Sequence, residues 1–379
     1  MPLKSALLAL RNDLRLQMWE TPPGRRLSVL LKRLTKYGLA AILSLSGLTG
    51  KLLRHLLVSR ESALILGYHG VSEEPYTHFS AGHTTAHLKA QFRFLKRHLR
   101  PARLDEIVGP VSRGEAPPAG TFAITFDDGL VSNAVLAVPL LKDLGLSATF
   151  FVPSALIGSS NDLWVLSLRE ILAAWPNPSL PEEPGLWPTM RMTDETNRWA
   201  AYFRVKQALK LHQDRQRELL DRLAGESGGY PRPPHHDRVV DPETLREMSQ
   251  AGFGIGAHSR THPILSRLEP SLAKEEIEGS RRELEALLGR PILDFAFPNG
   301  YIGDFDETTC RLVAEAGYRC ALTTEQGTVR RGDDRLALRR CLPENVPLFV
   351  AGFDLLLRAW GDRGRPEDSS RPLAERFSR

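Results

Sequence analysis

Thr121-Phe122-Ala123-Ile124-Thr125-Phe126-Asp127-Asp128-Gly129 is the stretch whose reading decides the fold. Its first six residues are mostly β-branched or aromatic and read as a strand buried on both faces. Two adjacent carboxylates and a glycine then end it. Asp and Gly suit turns, so the triplet alone is compatible with an ordinary loop. The carboxyl end of a buried strand is also where parallel α/β folds gather their chemistry. The surrounding sequence decides between these readings.

Upstream, Ser62-Ala63-Leu64-Ile65-Leu66-Gly67-Tyr68-His69-Gly70 reads as a second buried strand ending in Tyr-His-Gly. A helix-period stretch (Leu88, Phe92, Leu95) and a Pro/Gly loop at 117–120 lead to the first. Downstream, Leu136, Leu140, Leu141 and Leu144 predict a helix stopped by Gly145, and Ala148–Val152 predicts another strand. Strand, helix, strand at this pitch implies parallel pairing through crossovers.

The rhythm breaks over residues 159–238, where Pro-rich loops surround a polar helix at Arg204–Leu223. Four of the six tryptophans, Trp164, Trp175, Trp187 and Trp199, fall there. They suit either sugar stacking or the private core of a helical insertion, and packing is the commoner use of such rings. Alternation then resumes. Asp241-Pro242 opens a helix ending at Gly252, and Phe253–Ala257 is a strand. Leu272, Ile277, Leu284, Leu287 and Leu288 mark a helix closed by Gly289, and Ile292–Phe297 is the next strand. Asp306 caps a helix running to Gly317, followed by strands at Tyr318–Thr323 and Leu336–Leu342. Six or seven strands alternating with helices predict a parallel α/β barrel, and no GxGxxG follows any strand to support a dinucleotide fold.

Composition agrees with a globular body: 42% hydrophobic and 25% charged. Cys310, Cys320 and Cys341 are odd in number and show no CxxC spacing, which argues against a disulfide framework or a thiolate zinc site. The net charge of +5 is unevenly spread. Residues 1–60 hold 11 basic and 2 acidic side chains, whereas the remainder is −4 overall. A nucleic-acid-binding body is thereby disfavoured. Three segments are expected: a basic helical arm (1–60), a catalytic body (61–345) carrying the insertion 159–238, and a C-terminal helix with a disordered tail (346–379).

In the arm, Leu27, Leu30, Leu31 and Leu34 recur at helical spacing among Arg25, Arg26, Lys32, Arg33 and Lys36, and Leu48–Leu57 repeats the pattern beside Lys51 and Arg54. Such helices either lie on an anionic membrane face or pack on the body with a solvated basic face. No secretory signal is recognisable, and the uncharged run 37–50 is too short to cross a bilayer. A cytoplasmic location, with association to the inner membrane, is the expectation.

The strand at Phe253–Ala257 runs into His258-Ser259-Arg260-Thr261-His262-Pro263. Pro263 disfavours a helical conformation at His262, so this is not an HExxH-type helix. A loop at a strand end, with the two imidazoles converging across a turn, fits better. With the Asp127-Asp128 pair, two imidazoles and one carboxylate make a three-ligand set with a position left for water, the pattern of catalytic zinc. The other carboxylate is then free to act as base.

Thr125-Phe126-Asp127-Asp128-Gly129, His258-Ser259-Arg260-Thr261-His262 and Phe295-Ala296-Phe297-Pro298-Asn299-Gly300 resemble the first three motifs of the polysaccharide deacetylases, the NodB-homology or carbohydrate esterase 4 family. The resemblance covers roughly residues 62–345. It implies a distorted parallel (β/α) barrel of about seven strands, zinc or another divalent metal, and an acetylated glycan substrate. By the same resemblance Asp127 is the general base, Asp128, His258 and His262 are the metal ligands, and Phe297, Pro298 and Asn299 line the substrate site.

Two departures stand out. Ala296 occupies the position where many members carry an arginine that holds the base, and Arg340 is the candidate replacement. The late Leu-x-His general acid has no counterpart, since His262 is the last histidine, so His69 becomes the candidate proton donor. The Phe-Ala-Phe-Pro form of the third motif resembles the branch acting on bacterial exopolysaccharide. The expected activity is N-deacetylation of such a polymer or its precursor. O-acetyl or non-sugar amide hydrolysis and a decayed sugar-binding module are the alternatives.

Overall fold

A computed structural model describes residues 26–73 and 82–361; the first part of the arm and the C-terminal tail lie outside the described residues. Seven strands form the central sheet: β1 (Leu64–Tyr68), β2 (Thr121–Phe126), β3 (Thr149–Val152), β4 (Gly254–Ala257), β5 (Asp294–Ala296), β6 (Cys320–Gln326) and β7 (Leu338–Arg340). They pair in chain order, all parallel, with a short strand at Arg100–Pro101 beside β2. The first and last strands also meet. Gly67 N–H donates to Cys341 O (2.9 Å) and Cys341 N–H donates to Ile65 O (2.8 Å), which brings the ring to near closure. The expected distorted barrel is the observed fold.

The strands are buried along nearly their whole length, as an inner ring covered by helices requires. Phe126 stacks on Phe150 in the core with centroids 5.1 Å apart, and Phe253 meets Phe150 edge-on. The crossover helices include α3 (Thr85–His98), α4 (Leu104–Ser112), α5 (Val138–Leu144), α9 (Pro242–Gln250), α10 (Pro270–Leu288) and α11 (Glu307–Glu315). Their ends follow the sequence signals: Asp241 accepts from Thr244 N–H (2.8 Å), and Asp306 and Thr309 form a reciprocal capping box. The three cysteines are buried and free.

Residues 159–238 form a helical satellite of α6 (Trp164–Ala173), α7 (Glu195–Leu211) and α8 (Gln213–Ser227) with a core of its own. Trp175 and Trp187 are buried in that core, and their indole N–H groups donate to Ser179 O (3.0 Å) and Pro181 O (3.1 Å). Trp164 and Trp199 pack against it. The tryptophan cluster therefore serves packing rather than sugar stacking.

Helices α1 (Arg26–Leu45) and α2 (Leu48–Ser59) pack with α12 (Leu348–Gly361) against the barrel's flank. Tyr37, Ala40, Leu53, Leu56 and Leu57 join the main core, and Lys36 pairs with Asp354 at 2.8 Å. The opposite faces of α1 and α2 stay exposed, with Leu39, Ile42, Leu45, Leu48 and Leu52 open to solvent. Among the described residues no single helix is long and apolar enough to cross a membrane.

Candidate active site

Every candidate group sits at the carboxyl ends of the strands, where parallel barrels expose loops rather than helix packing. Asp127 follows β2, and its N–H donates to Tyr68 O (2.8 Å), tying the ends of β1 and β2 together. Asp128 then takes a left-handed backbone conformation (φ 71°), which Asp tolerates better than most residues. Gly129 is left-handed too (φ 60°), and a Cβ there would sit 2.6 Å from Val152. The Asp-Asp-Gly order is thus enforced locally. The tight turn sends the two neighbouring carboxylates to different places, Asp127 inward and Asp128 toward the histidines.

His258 directly follows β4 and is buried. Its Nδ1–H donates to Ala296 O (2.7 Å), which leaves Nε2 as the free lone pair. Ser259 and His262 both have positive φ (58° and 66°), and His262 N–H donates to Ser259 Oγ (3.0 Å). This knot turns the second imidazole back beside the first, as the Pro263 argument required. The Nε2 atoms of His258 and His262 lie 3.7 and 3.4 Å from Asp128 Oδ1. Ligands of a tetrahedral ion held at about 2.0–2.1 Å stand about 3.3 Å apart, so this set fits one divalent ion with little adjustment. Burial, the largest influence, pulls both imidazoles down to about 4, His258 adding to the effect on His262 while the aspartates oppose it. At neutral pH both are uncharged, the state a metal ligand needs. His262 Nδ1 is buried with no hydrogen-bond partner, so only one of the two histidines has its ring fixed by a second bond.

Asp127 is buried and held by Arg340, itself fully buried on β7. Arg340 Nη1–H donates to Asp127 Oδ1 and Nη2–H to Asp127 Oδ2, both at 2.7 Å. The guanidinium also donates to Thr323 O (2.8 Å) and Thr125 Oγ1 (3.2 Å). Burial alone would push the Asp127 carboxyl up. The Arg340 guanidinium, through its charge and its two hydrogen bonds, outweighs it and holds the group well below the usual carboxylate range. The arginine absent from the third motif is thus supplied from another strand. His69 Nε2 stands 4.0 Å from Asp127 Oδ2 with its side chain 43% exposed, at the mouth rather than in the floor. Its carbonyl accepts from Asn133 Nδ2 (2.8 Å).

The third motif needs a correction. The Phe297 side chain is buried in the core, stacked on Phe305 at 4.9 Å, and Pro298 is buried as well. The strand's alternation turns Phe297 inward, so neither side chain lines a substrate site as expected. Asn299 alone approaches the surface, with a positive φ (61°) and an Nδ2 that has no partner.

Sequence reasoning also missed one wall of the site. The insertion folds back on the histidine loop: Gln213 Nε2–H donates to Ile264 O (3.1 Å), and Ile264 N–H donates to Gln213 Oε1 (2.9 Å). This clamp brings α7 over the barrel end. Lys206 then sits above the Tyr202 and Phe203 rings (5.6 and 5.7 Å), and Lys210 above Tyr301 (5.8 Å). Nothing in the sequence links a helix at 195–211 to strand ends fifty residues later.

Fold and site together define an α/β-barrel protein in which Asp128, His258 and His262, a set that could hold a metal ion, stand beside a buried carboxylate. Over residues 114–321 the sequence matches the family model for polysaccharide deacetylase, and the chain belongs to that family. It is 27% identical over 105 residues to YxkH of Bacillus subtilis (strain 168), a protein named for polysaccharide deacetylase. That match covers 28% of this chain and 37% of the relative, so the chain spans little more than a third of the curated protein it matches. Two solved structures share the fold at a TM-score of 0.50 and 17% identity: the Streptococcus pyogenes deacetylase PplD in complex with acetate and IcaB from Ammonifex degensii. The first covers 75% of this chain and 93% of its own, the second 77% and 97%.

Proposed function

We propose that this protein is a metal-dependent hydrolase that removes N-acetyl groups from an exopolysaccharide-type polymer or its precursor. The observation that carries the reading is the pairing of a three-ligand set, Asp128, His258 and His262, with a separately held carboxylate, Asp127. Two imidazoles and a carboxylate suit zinc. A divalent ion bound there would polarise the acetamide carbonyl and stabilise the charge that develops on its oxygen.

The chain's own residues then manage protons and positions. Asp127 accepts a proton from the attacking water, and the two Arg340 hydrogen bonds fix where its oxygens point. The same guanidinium makes Asp127 a weaker base, so orientation is gained at the expense of basicity. His69, beside Asp127 and open to solvent, gives a proton to the departing sugar amine. One proton is taken from water and one delivered to nitrogen, leaving amine and acetate.

Acetate release from N-acetylated and O-acetylated oligosaccharides, with and without chelator and alongside elemental analysis, tests this reading. Chelator-sensitive release from the N-acetylated set supports it. Release confined to O-acetyl esters moves the activity to esterase, and sugar binding without release makes the chain a binding module.

A second reading concerns location. Leu39, Ile42, Leu45, Leu48 and Leu52 are exposed on α1 and α2 together with Lys51 and Arg54, and Leu52 lines a cavity with Leu357 and Trp360 of α12. That cavity, of about 540 Å³, opens among Leu43, Leu52, Phe353 and Trp360. Apolar side chains flanked by cations favour peripheral contact with an anionic membrane, and the cytoplasmic leaflet of the inner membrane is the proposed place.

A further inference from the structure

We propose that Lys206 and Lys210 form an anion subsite beside the metal centre, so that the acetylated sugar carries a carboxylate or phosphate close to its acetamido group. This rests on the deacetylase reading and names the substrate class it takes.

The two lysines are one helical turn apart on α7 and so share a face. The Gln213–Ile264 clamp fixes that face over the histidine loop, because Ile264 lies two residues past His262. Each ammonium rests over aromatic ring rather than against a carboxylate. Neither has an ion pair within 4.0 Å among the described residues, although both are half-buried. By contrast, buried Arg169 is neutralised by Glu170 and Asp237, and half-buried Lys36 by Asp354. A pair of unneutralised, partly desolvated cations at the mouth of a glycan site is costly unless a ligand supplies the counter-charge.

The charges facing Lys206 are Lys210 and Asp128; those facing Lys210 are Asp304 and Arg267. Burial first, then Lys210, pulls Lys206 down to about 8, so it is still largely cationic at neutral pH. Tyr301, exposed beyond the third motif and carrying Lys210 over its ring, offers a flat face for the neighbouring sugar. A cation beside an aromatic platform is a natural cradle for an acidic sugar.

The test compares three probes by calorimetry on the metal-loaded full chain: a hyaluronan tetrasaccharide, N-acetylglucosamine 1-phosphate and neutral chitotetraose. The wild type should bind one anionic probe at least about tenfold more tightly than chitotetraose at low salt, a charge-assisted hydrogen bond being worth that much. Which anionic probe gains tells carboxylate from phosphate. Lys206→Gln and Lys210→Gln should each erase most of the preference and leave chitotetraose binding unchanged, while Lys206→Arg should retain it. Equal affinity for charged and neutral probes overturns the proposal. So does an equal loss for all three probes in the glutamine variants, which would mark the lysines as structural. If the anion preference appears while no probe releases acetate, the subsite stands and the deacetylase reading falls.

Discussion

Arg340→Met removes the guanidinium hydrogen-bonded to both Asp127 oxygens, without leaving a large hole. Both partners are buried and joined by two 2.7 Å hydrogen bonds. Stripping one partner from such a pair costs about 3–5 kcal/mol, because the remaining carboxylate is left charged in a poorly solvating place. At about 2 °C per kcal/mol for a domain of this size, the melting midpoint should fall by roughly 6–10 °C. A second consequence follows from the pKa. With Arg340 gone, burial becomes the dominant influence on Asp127 and pushes its carboxyl up instead of leaving it depressed. A base must be ionised to accept a proton, so the acid limb of the acetate-release profile should move to higher pH. Neutralising both positions, Asp127→Leu with Arg340→Met, should recover most of the lost stability because no lone charge remains. Urea unfolding of both variants and the pH–rate profile of Arg340→Met, each beside the wild type, check this. A loss under about 1 kcal/mol with an unmoved acid limb would refute the assignment of Arg340 as the group that holds the base.

Asp127→Asn should keep the bound metal while losing about two to four orders of magnitude in turnover, whereas Asp128→Asn should lose metal and activity together, as elemental analysis beside kinetics will report. The metal-free protein should lose stability as the pH falls from about 6.5 through about 4. His258 and His262 refuse protons when folded that they accept when unfolded, a difference on the order of 3 kcal/mol for each. Thermal melts of chelated protein across that range read the slope, and a flat profile contradicts the burial argument. Full-length protein should sediment with anionic liposomes at low salt and much less at high salt, and replacing Ile42, Leu45 and Leu52 with serine should weaken the association; indifference to liposomes removes the membrane reading.

The sequence by itself determined the ring of parallel strands, since each buried run of β-branched and aromatic residues is followed by a helix with legible caps. It also singled out Asp128, His258 and His262, which the structure gathers within reach of one another. Asp128 sits in a turn that Gly129 forces, and Pro263 keeps the His258–His262 segment out of a helix, so local chemistry alone turns these ligands to one side. What it could not decide depended on contacts between distant segments. Arg340 gains its role only where β7 meets β1, because the closing of the ring sets its guanidinium against a carboxylate more than two hundred residues earlier. Phe297 looked available to substrate because a motif has no inside or outside until strand alternation is anchored to a core. The tryptophans of the insertion had two uses until a private core claimed them. Lys206 and Lys210 carried no signal at all in a polar helix. Their place over the histidine loop comes from long-range contacts, among them Gln213 with Ile264 and Arg267 with the Leu211 carbonyl, and such pairing is written in no local pattern.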